Sequence, residues 1–320
     1  MRRALALAAA VRTRTAPNPW VGCVVVAAGH VYEGATEPPG GPHAEVVALA
    51  AAGEKAAGST LYTILEPCVH QGLTPPCTNA IVAAGVTRVV VGVLDPDVRV
   101  SGRGVAELQR AGLEVVVGVA AEEATELLAP YLKHRRTGRP WVVLKLAATL
   151  DGRIAAPDGS SRWITGDEAR ADAHRLRATS DAVLVGAGTV RADDPELTVR
   201  TEPAPGHQPL RVVLGQAPPD ARVRPALEMT GALTEVLDDL GARGIIQVLV
   251  EGGARVAHAF HQDGVVDRYV IYLAPAFFGG DDAQAMFTGA GAPTMEAIWR
   301  GRLVSVIRLG DDVRLELEAA

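Results

Sequence analysis

Four residues in the first quarter of the chain carry reactive side chains at a spacing that suggests a metal centre. They are His43 and Glu45 in "GGPHAE", then Cys68 and Cys77 in "LEPCVHQGLTPPC". A histidine nitrogen and two thiolates suit a catalytic zinc that keeps its fourth position for water. The metal lowers the pKa of that water towards neutrality and so makes hydroxide available at pH 7. A carboxylate two residues from the histidine can then move protons without ligating the metal. This is the H-x-E…P-C…C arrangement of nucleobase deaminases. Singly, a buried cysteine or a lone histidine is usually an ordinary core residue. The four together, in this order, point to metal. Cys23, in "VGCVVV", reads as a small core residue on a strand.

Local signals place these residues at helix starts. Thr74-Pro75-Pro76-Cys77 reads as an N-cap followed by prolines in the first turn, where a missing N–H costs nothing. The positive end of that helix would favour the Cys77 thiolate. "GGPHAE" likewise puts His43 and Glu45 at the start of a helix, facing a shared pocket.

The elements that must hold them alternate regularly. "VGCVVVAAG", "STLYTIL", "RVVVGVLD" and "LEVVVGV" read as strands between helices "HAEVVALAAAGEKAAG", "PPCTNAIVAAG" and "GVAELQRAG". Such alternation indicates an α/β sheet covered on both faces. A further helix, "AEEATELLAPYLKHRRTG", ends in a basic turn followed by Gly138 and Pro140, a stop signal and a domain boundary. Alternation then restarts. "WVVLKLAATLDG", "DAVLVGAGTV", "LRVVL", "IIQVLVEGG" and "RYVIYLAP" read as strands, and "DEARADAHRLRA" and "GALTEVLDDLGARG" as helices. The C-terminal segment reads as a β-hairpin around Gly310 and Asp311. The expectation is two α/β domains, residues 1–138 and 139–320.

Composition narrows the function classes. The 320 residues are 48% hydrophobic and 21% charged, as in soluble globular proteins. No apolar run approaches the roughly 18 to 20 residues needed to cross a bilayer. The opening "MRRALALAAAVRTR" is cut by Arg12 and Arg14 and reads as an amphipathic first helix in a cytoplasmic protein rather than a signal peptide. A net charge of −6 argues against broad nucleic-acid binding, and three cysteines argue against a disulfide framework.

The second half is less decisive. "VGAGTVRADDP" and "VLVEGGARVAHAF" each place glycines after a strand, a weak phosphate-cradle signal. Neither is a G-x-G-x-x-G that opens a helix, so a Rossmann domain is not expected. The alternative is ordinary tight turns chosen for positive φ. Three readings of the whole chain are weighed against the resemblance given below. The first is a bifunctional enzyme. The second is a nucleoside or tRNA deaminase with a C-terminal binding module. The third is a reductase whose zinc is only structural.

A resemblance narrows them. The eight residues between the cysteines, "VHQGLTPP", exceed the two of ordinary deaminases. With "PNPWVGCVVV", "AAGVTRVVVGVLDP", "KLAATLDGRIA", "SSRWITGDEAR", "LVEGGARVA" and "YLAPAFFGG", they closely resemble the bifunctional deaminase/reductase family of riboflavin biosynthesis, over nearly the whole chain. The resemblance implies a cytidine-deaminase-like three-layer α/β domain followed by a dihydrofolate-reductase-like α/β domain. It implies Zn2+ on His43, Cys68 and Cys77, with Glu45 as the catalytic proton shuttle. It also implies NADPH, with cofactor contacts at Ala147, Trp163, Thr189, Asp193 and Gly253. Substrate contacts fall on Lys145, Ser161, Arg177, Leu197, Arg200 and Glu251, with Asn18 at the base of the first site's substrate. Arg177 and Arg200 suit phosphate, because guanidinium forks pair with its oxygens. The implied substrate is a small pyrimidine ribosyl phosphate, and the implied assembly a homo-oligomer.

Two departures from the family pattern carry expectations. Only about sixteen residues separate "LRVVL" from the helix near Gly231, where family members carry a longer segment with another strand, which leaves the sheet edge and any cofactor contacts from that segment open. Where relatives carry a histidine seven residues before the zinc histidine and a cation before "TPPC", this chain has Thr36 and Leu73. A hydroxyl remains but the cations do not, so the first site is expected to hold its phosphate weakly, with partial compensation from His70 or Asn18.

Overall fold

In the computed structural model, residues 1–201 and 208–319 are described. The chain divides into two compact units, Met1–Gly138 and Arg139–Ala320.

The first unit runs α1 (Arg2–Val11), β1 (Gly22–Ala27), β2 (His30–Ala35), α2 (Ala44–Ala52), β3 (Thr60–Leu65), α3 (Cys77–Ala83), β4 (Arg88–Val93), α4 (Arg103–Arg110), β5 (Glu114–Val117) and α5 (Ala121–Thr137). Among the described residues its sheet has the order β2-β1-β3-β4-β5. β3, β4 and β5 run parallel, whereas β1 is antiparallel to both neighbours. β2 was not expected from sequence. Its partly polar "HVYEGA" lacks a continuous apolar run, but the turn before it holds Ala28 and Gly29 at φ 47° and 79°. Positive φ at both central residues suits a tight hairpin. Gly34 lets α2 lie against this strand, since a Cβ there would sit 2.2 Å from the Ala44 carbonyl oxygen. α5 begins with Glu122 and Glu123 and ends with His134, Arg135 and Arg136, charges that complement its dipole, before Gly138 at φ 74°.

The second unit runs β6 (Trp141–Thr149), β7 (Arg153–Ala155), α6 (Asp167–Ala178), β8 (Ala182–Gly186), α7 (Ala187–Asp193), β9 (Leu210–Leu214), β10 (Leu227–Met229), α8 (Leu233–Ala242), β11 (Gln247–Val250), α9 (Ala254–Gln262), β12 (Arg268–Ala274), β13 (Gln284–Ala285), β14 (Gly301–Leu309) and β15 (Asp312–Ala319). The main sheet has the order β10-β9-β8-β11-β6-β12-β15-β14 among the described residues. Its central strands are apolar at successive positions because both faces are covered. Val142, Leu144, Val248 and Val250 pack with Leu237 and Leu240 of α8 and Phe260 of α9. Val143, Val183, Leu249 and Tyr272 pack on the other face with Ala169 of α6 and Val190 of α7. Burying Phe260 completely contributes about 1.5–3 kcal/mol.

Two expectations are corrected here. The strand read through "DAVLVGAGTV" ends at Gly186, which is the N-cap of α7 at φ −82° and ψ 150°, and the remainder forms that helix. The short 215–230 segment does supply an edge strand. β10 pairs parallel with β9, Leu227 opposite Val212 and Met229 opposite Leu214. Its three residues are too few to show periodicity.

Candidate active sites

In the first unit, two helix starts and the loop after a strand meet. His43 is the N-cap of α2, in extended conformation at φ −75° and ψ 162°, and Glu45 lies in the first turn. Cys68 follows β3, and Cys77 opens α3. The ligand atoms of His43, Cys68 and Cys77 all lie within 4.8 Å of one another. His43 Nδ1 is 3.2 Å from Cys77 Sγ and 3.6 Å from Cys68 Sγ, whereas its Nε2 faces Thr74 Oγ1 at 3.5 Å. One borderline nitrogen and two sulfurs, converging with room on one side, fit zinc.

The cap of α3 differs from expectation. Pro76, not Thr74, is the N-cap, so the prolines stand ahead of the helix with Pro76 at φ −56° and ψ 134°. Their fixed φ holds this stretch extended. Thr74 is thereby left to face the histidine. The helix terminus also acts on the other cysteine, because the Cys77 N–H points at Cys68 Sγ at 3.4 Å. A hydrogen bond from the Cys77 thiol, opposed by burial and aided by His43, lowers Cys68 to about 4. The same bond, with burial, raises Cys77. The two sulfurs thus share one proton. A divalent cation would replace the proton the two sulfurs share.

Glu45 is 4% exposed and receives the Thr63 hydroxyl at 3.5 Å. Burial raises its pKa, the Cys68 charge adds to this, and His43 opposes it. A carboxyl raised towards neutrality suits proton transfer. A cavity of about 150 Å³ opens beside these groups and is lined by Asn18, Thr36, Glu66, His70, Leu73, Asp95, Asp97, Arg99, Tyr131 and Arg135 as well. The Thr36 hydroxyl, expected to remain available to a ligand, is bound by the Val21 backbone at 3.1 Å and 3.4 Å.

Glu66 was missed from sequence, where its only signal was adjacency to Pro67-Cys68. Its carboxylate accepts N–H bonds from Gly102 at 2.9 Å, Val105 at 3.1 Å and Asp95 at 3.3 Å. It thus ties the cysteine loop to the start of α4, an end that favours negative charge. Gly104 permits the approach, since a Cβ there would lie 2.2 Å from the Pro67 carbonyl oxygen.

The second unit holds a larger cavity, of about 660 Å³. Lys145 and Ala147 reach it as alternate residues of β6. Ser161 and Trp163 come from the loop before α6, and Arg177 from the last turn of that helix. Thr189 and Asp193 lie on α7, Leu197 and Arg200 beyond it, and Glu251 and Gly253 in the turn after β11. The two glycine turns meet where Gly253 N–H donates to Thr189 Oγ1 at 3.1 Å. Arg177 grips Glu251 through Nε at 2.5 Å and Nη2 at 2.9 Å, and Nη1 reaches the Thr198 carbonyl at 3.2 Å. Its fork is therefore turned to a carboxylate within the chain. Burial would raise Glu251, but Arg177 and then Lys145 overcome it and hold the carboxyl low. Burial lowers Lys145, with Glu251 opposing. His174 and Arg222, which sequence reasoning did not single out, line the same cavity. His174 Nδ1 accepts the Arg200 N–H at 3.2 Å, and Arg222 and Arg200 both pair with Glu196.

The profile of the cytidine and deoxycytidylate deaminase zinc-binding region matches residues 1–93, and that of the RibD C-terminal domain matches residues 140–315. The riboflavin biosynthesis protein RibD of Aquifex aeolicus is 41% identical over 98% of this chain and 96% of its own length. The chain belongs to the RibD family. The RibD protein of Mycobacterium tuberculosis H37Rv is 45% identical over 97% of this chain and 93% of its own. An Acinetobacter baumannii RibD structure is 40% identical, with a TM-score of 0.94 over 100% of this chain and 97% of that one. A Thermotoga maritima diaminohydroxyphosphoribosylaminopyrimidine deaminase/5-amino-6-(5-phosphoribosylamino)uracil reductase is 34% identical, at TM-score 0.90 over 100% and 97%. The RibD architecture joins a zinc-binding deaminase domain to a reductase domain, so this chain is both a hydrolase and an oxidoreductase. Among the described residues, no helix is long and apolar enough to cross a membrane.

Proposed function

We propose that this chain deaminates a diaminopyrimidinone ribosylamino phosphate to the aminouracil and then reduces its ribosyl group to ribityl with NADPH, two steps towards riboflavin. The first unit, residues 1–138, performs the deamination and the second, 139–320, the reduction. The observation that carries the reading is the convergence of His43, Cys68 and Cys77 beside a cavity that His43, Glu45 and Cys68 line.

In the first site, His43, Cys68 and Cys77 would hold a zinc ion, which would supply a water ionised at neutral pH. Glu45 is placed to take a proton from the attacking water and to deliver it to the departing amine, so that C–O bond formation at the amino-bearing ring carbon is matched by C–N cleavage and loss of ammonia. Thr74 faces His43 Nε2 and leaves Nδ1 turned to the two sulfurs. Asn18 contacts the substrate base. A purely structural zinc would normally have a fourth protein ligand; among the described residues the donor group here has three members, and it lies beside a cavity.

In the second site, Ala147, Trp163, Thr189, Asp193 and Gly253 would hold NADPH, which would supply a hydride for the sugar's anomeric carbon. Lys145, Ser161, Leu197 and Glu251 orient the substrate. Arg177 positions Glu251, and Arg200, exposed beside Arg222, meets the phosphate. The enzyme works in the cytoplasm as a homo-oligomer and uses no nucleic acid. Purified protein supplied with the diaminopyrimidine phosphate should release ammonia and, in a separate assay, oxidise NADPH. Absence of either activity from zinc-loaded protein overturns that half of the reading.

A further inference from the structure

The deaminase cavity has lost the cations expected at Thr36 and Leu73, yet its lining contains two guanidinium groups, Arg99 and Arg135. Their surroundings differ. Arg99 is chelated by Asp97, with Nη2–Oδ2 at 2.6 Å and Nε–Oδ1 at 3.0 Å. The pair largely cancels its own charge. The other carboxylates of the cavity are also engaged. Glu66 is spent on three backbone N–H groups, and Asp95 receives the Tyr131 hydroxyl at 3.0 Å and the Asp97 N–H at 2.9 Å.

Arg135 stands apart. Its guanidinium carbon lies 5.1 Å from the centroid of the Tyr131 ring, and its Nε is buried without a hydrogen-bond partner. Among the described residues it forms no ion pair with a carboxylate; Asp95 and Asp97 feel its charge without bonding to it. A guanidinium seated on an aromatic face is fixed in plane and shed of water on one side. Such a group, lining a cavity and paired with no carboxylate among the described residues, can receive an oxyanion, with part of its donor capacity shared with the Tyr131 hydroxyl.

We propose that Arg135, seconded by Arg99, anchors the phosphate of the deaminase substrate in place of the cations missing at positions 36 and 73. The inference rests on the deaminase reading above. The phosphate is the one group of that substrate with the charge and the paired oxygens a guanidinium fork recognises. Arg99 joins by sharing its outer nitrogens, since Asp97 keeps one edge of its fork occupied. Arg135 is therefore the larger contributor.

The test uses full-length, zinc-loaded enzyme and follows ammonia release from the phosphorylated substrate and from its dephosphorylated counterpart. Removing a charge-assisted hydrogen bond to phosphate weakens affinity by about ten- to a hundredfold. Arg135→Gln should therefore raise KM for the phosphorylated substrate by about that factor, with a far smaller change for the dephosphorylated one. Arg99→Gln should have a smaller effect in the same direction. Adding Leu73→Lys to Arg135→Gln should restore part of the preference for the phosphorylated compound. Zinc content checks the first unit's fold, and NADPH oxidation the second's. If Arg135→Gln loses its zinc, Arg135→Lys decides, because it keeps the charge but not the fork and should retain only part of the preference. A wild type that deaminates both compounds equally, or an Arg135→Gln enzyme with the preference intact, overturns the proposal and leaves the deaminase reading standing. Failure of the wild type to release ammonia from either compound overturns both.

Discussion

His43 turns Nδ1 towards the two sulfurs and leaves Nε2 facing Thr74 Oγ1 at 3.5 Å. A ligating histidine is oriented by whatever holds its second nitrogen, and losing such a partner typically weakens metal binding by about 10- to 100-fold. Thr74→Val, which keeps the volume and removes the hydroxyl, should weaken zinc binding at least about tenfold within that range. Competition with a chromogenic chelator measures it. Cys68→Ala and Cys77→Ala should be nearly metal-free, against one zinc per chain in the wild type.

Glu45→Gln separates proton transfer from metal binding. Ammonia release should fall by about 10²- to 10⁴-fold, the usual contribution of a positioned acid–base group. Zinc content and NADPH oxidation should stay at wild-type levels. Loss of zinc in this variant would make Glu45 a ligand and sink the assignment.

Arg177 and Glu251 form a two-pronged ion pair in which both side chains are mostly buried. Removing one partner leaves the other charge buried and unpaired, at a cost of about 3–5 kcal/mol. Glu251→Gln should lower the thermal transition of the second unit accordingly. The sign with pH follows from the direction of the shift. Glu251 is held below its ordinary 4.5, so its stabilisation is present above that pH and fades as pH falls through the folded value. The gap between wild type and Glu251→Gln should thus be widest near neutrality and close on acidification. A gap independent of pH would refute the pairing as its cause.

Lys145 is lowered from its ordinary 10.5, chiefly by burial. It gives up its proton at a lower pH than an exposed lysine, so any interaction that needs the ammonium fails earlier on the alkaline side. The kcat/KM of the reduction should fall with an apparent pKa below 10.5. In Lys145→Arg that limb should disappear, because a guanidinium does not titrate in the accessible range.

The zinc centre was legible because its ligands are rare residue types in a fixed order, and its helices announced themselves by apolar runs. What escaped were parts whose signal lies in three dimensions. The edge strand β2 is partly polar and β10 is only three residues long, so neither shows a period. Glu66 and Arg135 look like ordinary surface charges until Gly102, Val105 and Tyr131 are seen around them. The cap of α3 was misplaced by two residues because threonine is the better capping type, yet here its hydroxyl serves the histidine. The second cavity was reached through resemblance. Its glycine turns are common in sequence, and only in the fold do Thr189 and Gly253 meet.

Gly104 is not among the residues that line the deaminase cavity, yet the backbone before Cys68 rests directly on it. Alanine is a better helix former than glycine, so a stabilising consensus design would choose it inside α4 without hesitation. Here the added methyl would push the Pro67 carbonyl aside and carry the neighbouring sulfur with it. The result would be a helix improved by local rules and an enzyme that sheds its zinc, a site where thermostability engineering and activity part company.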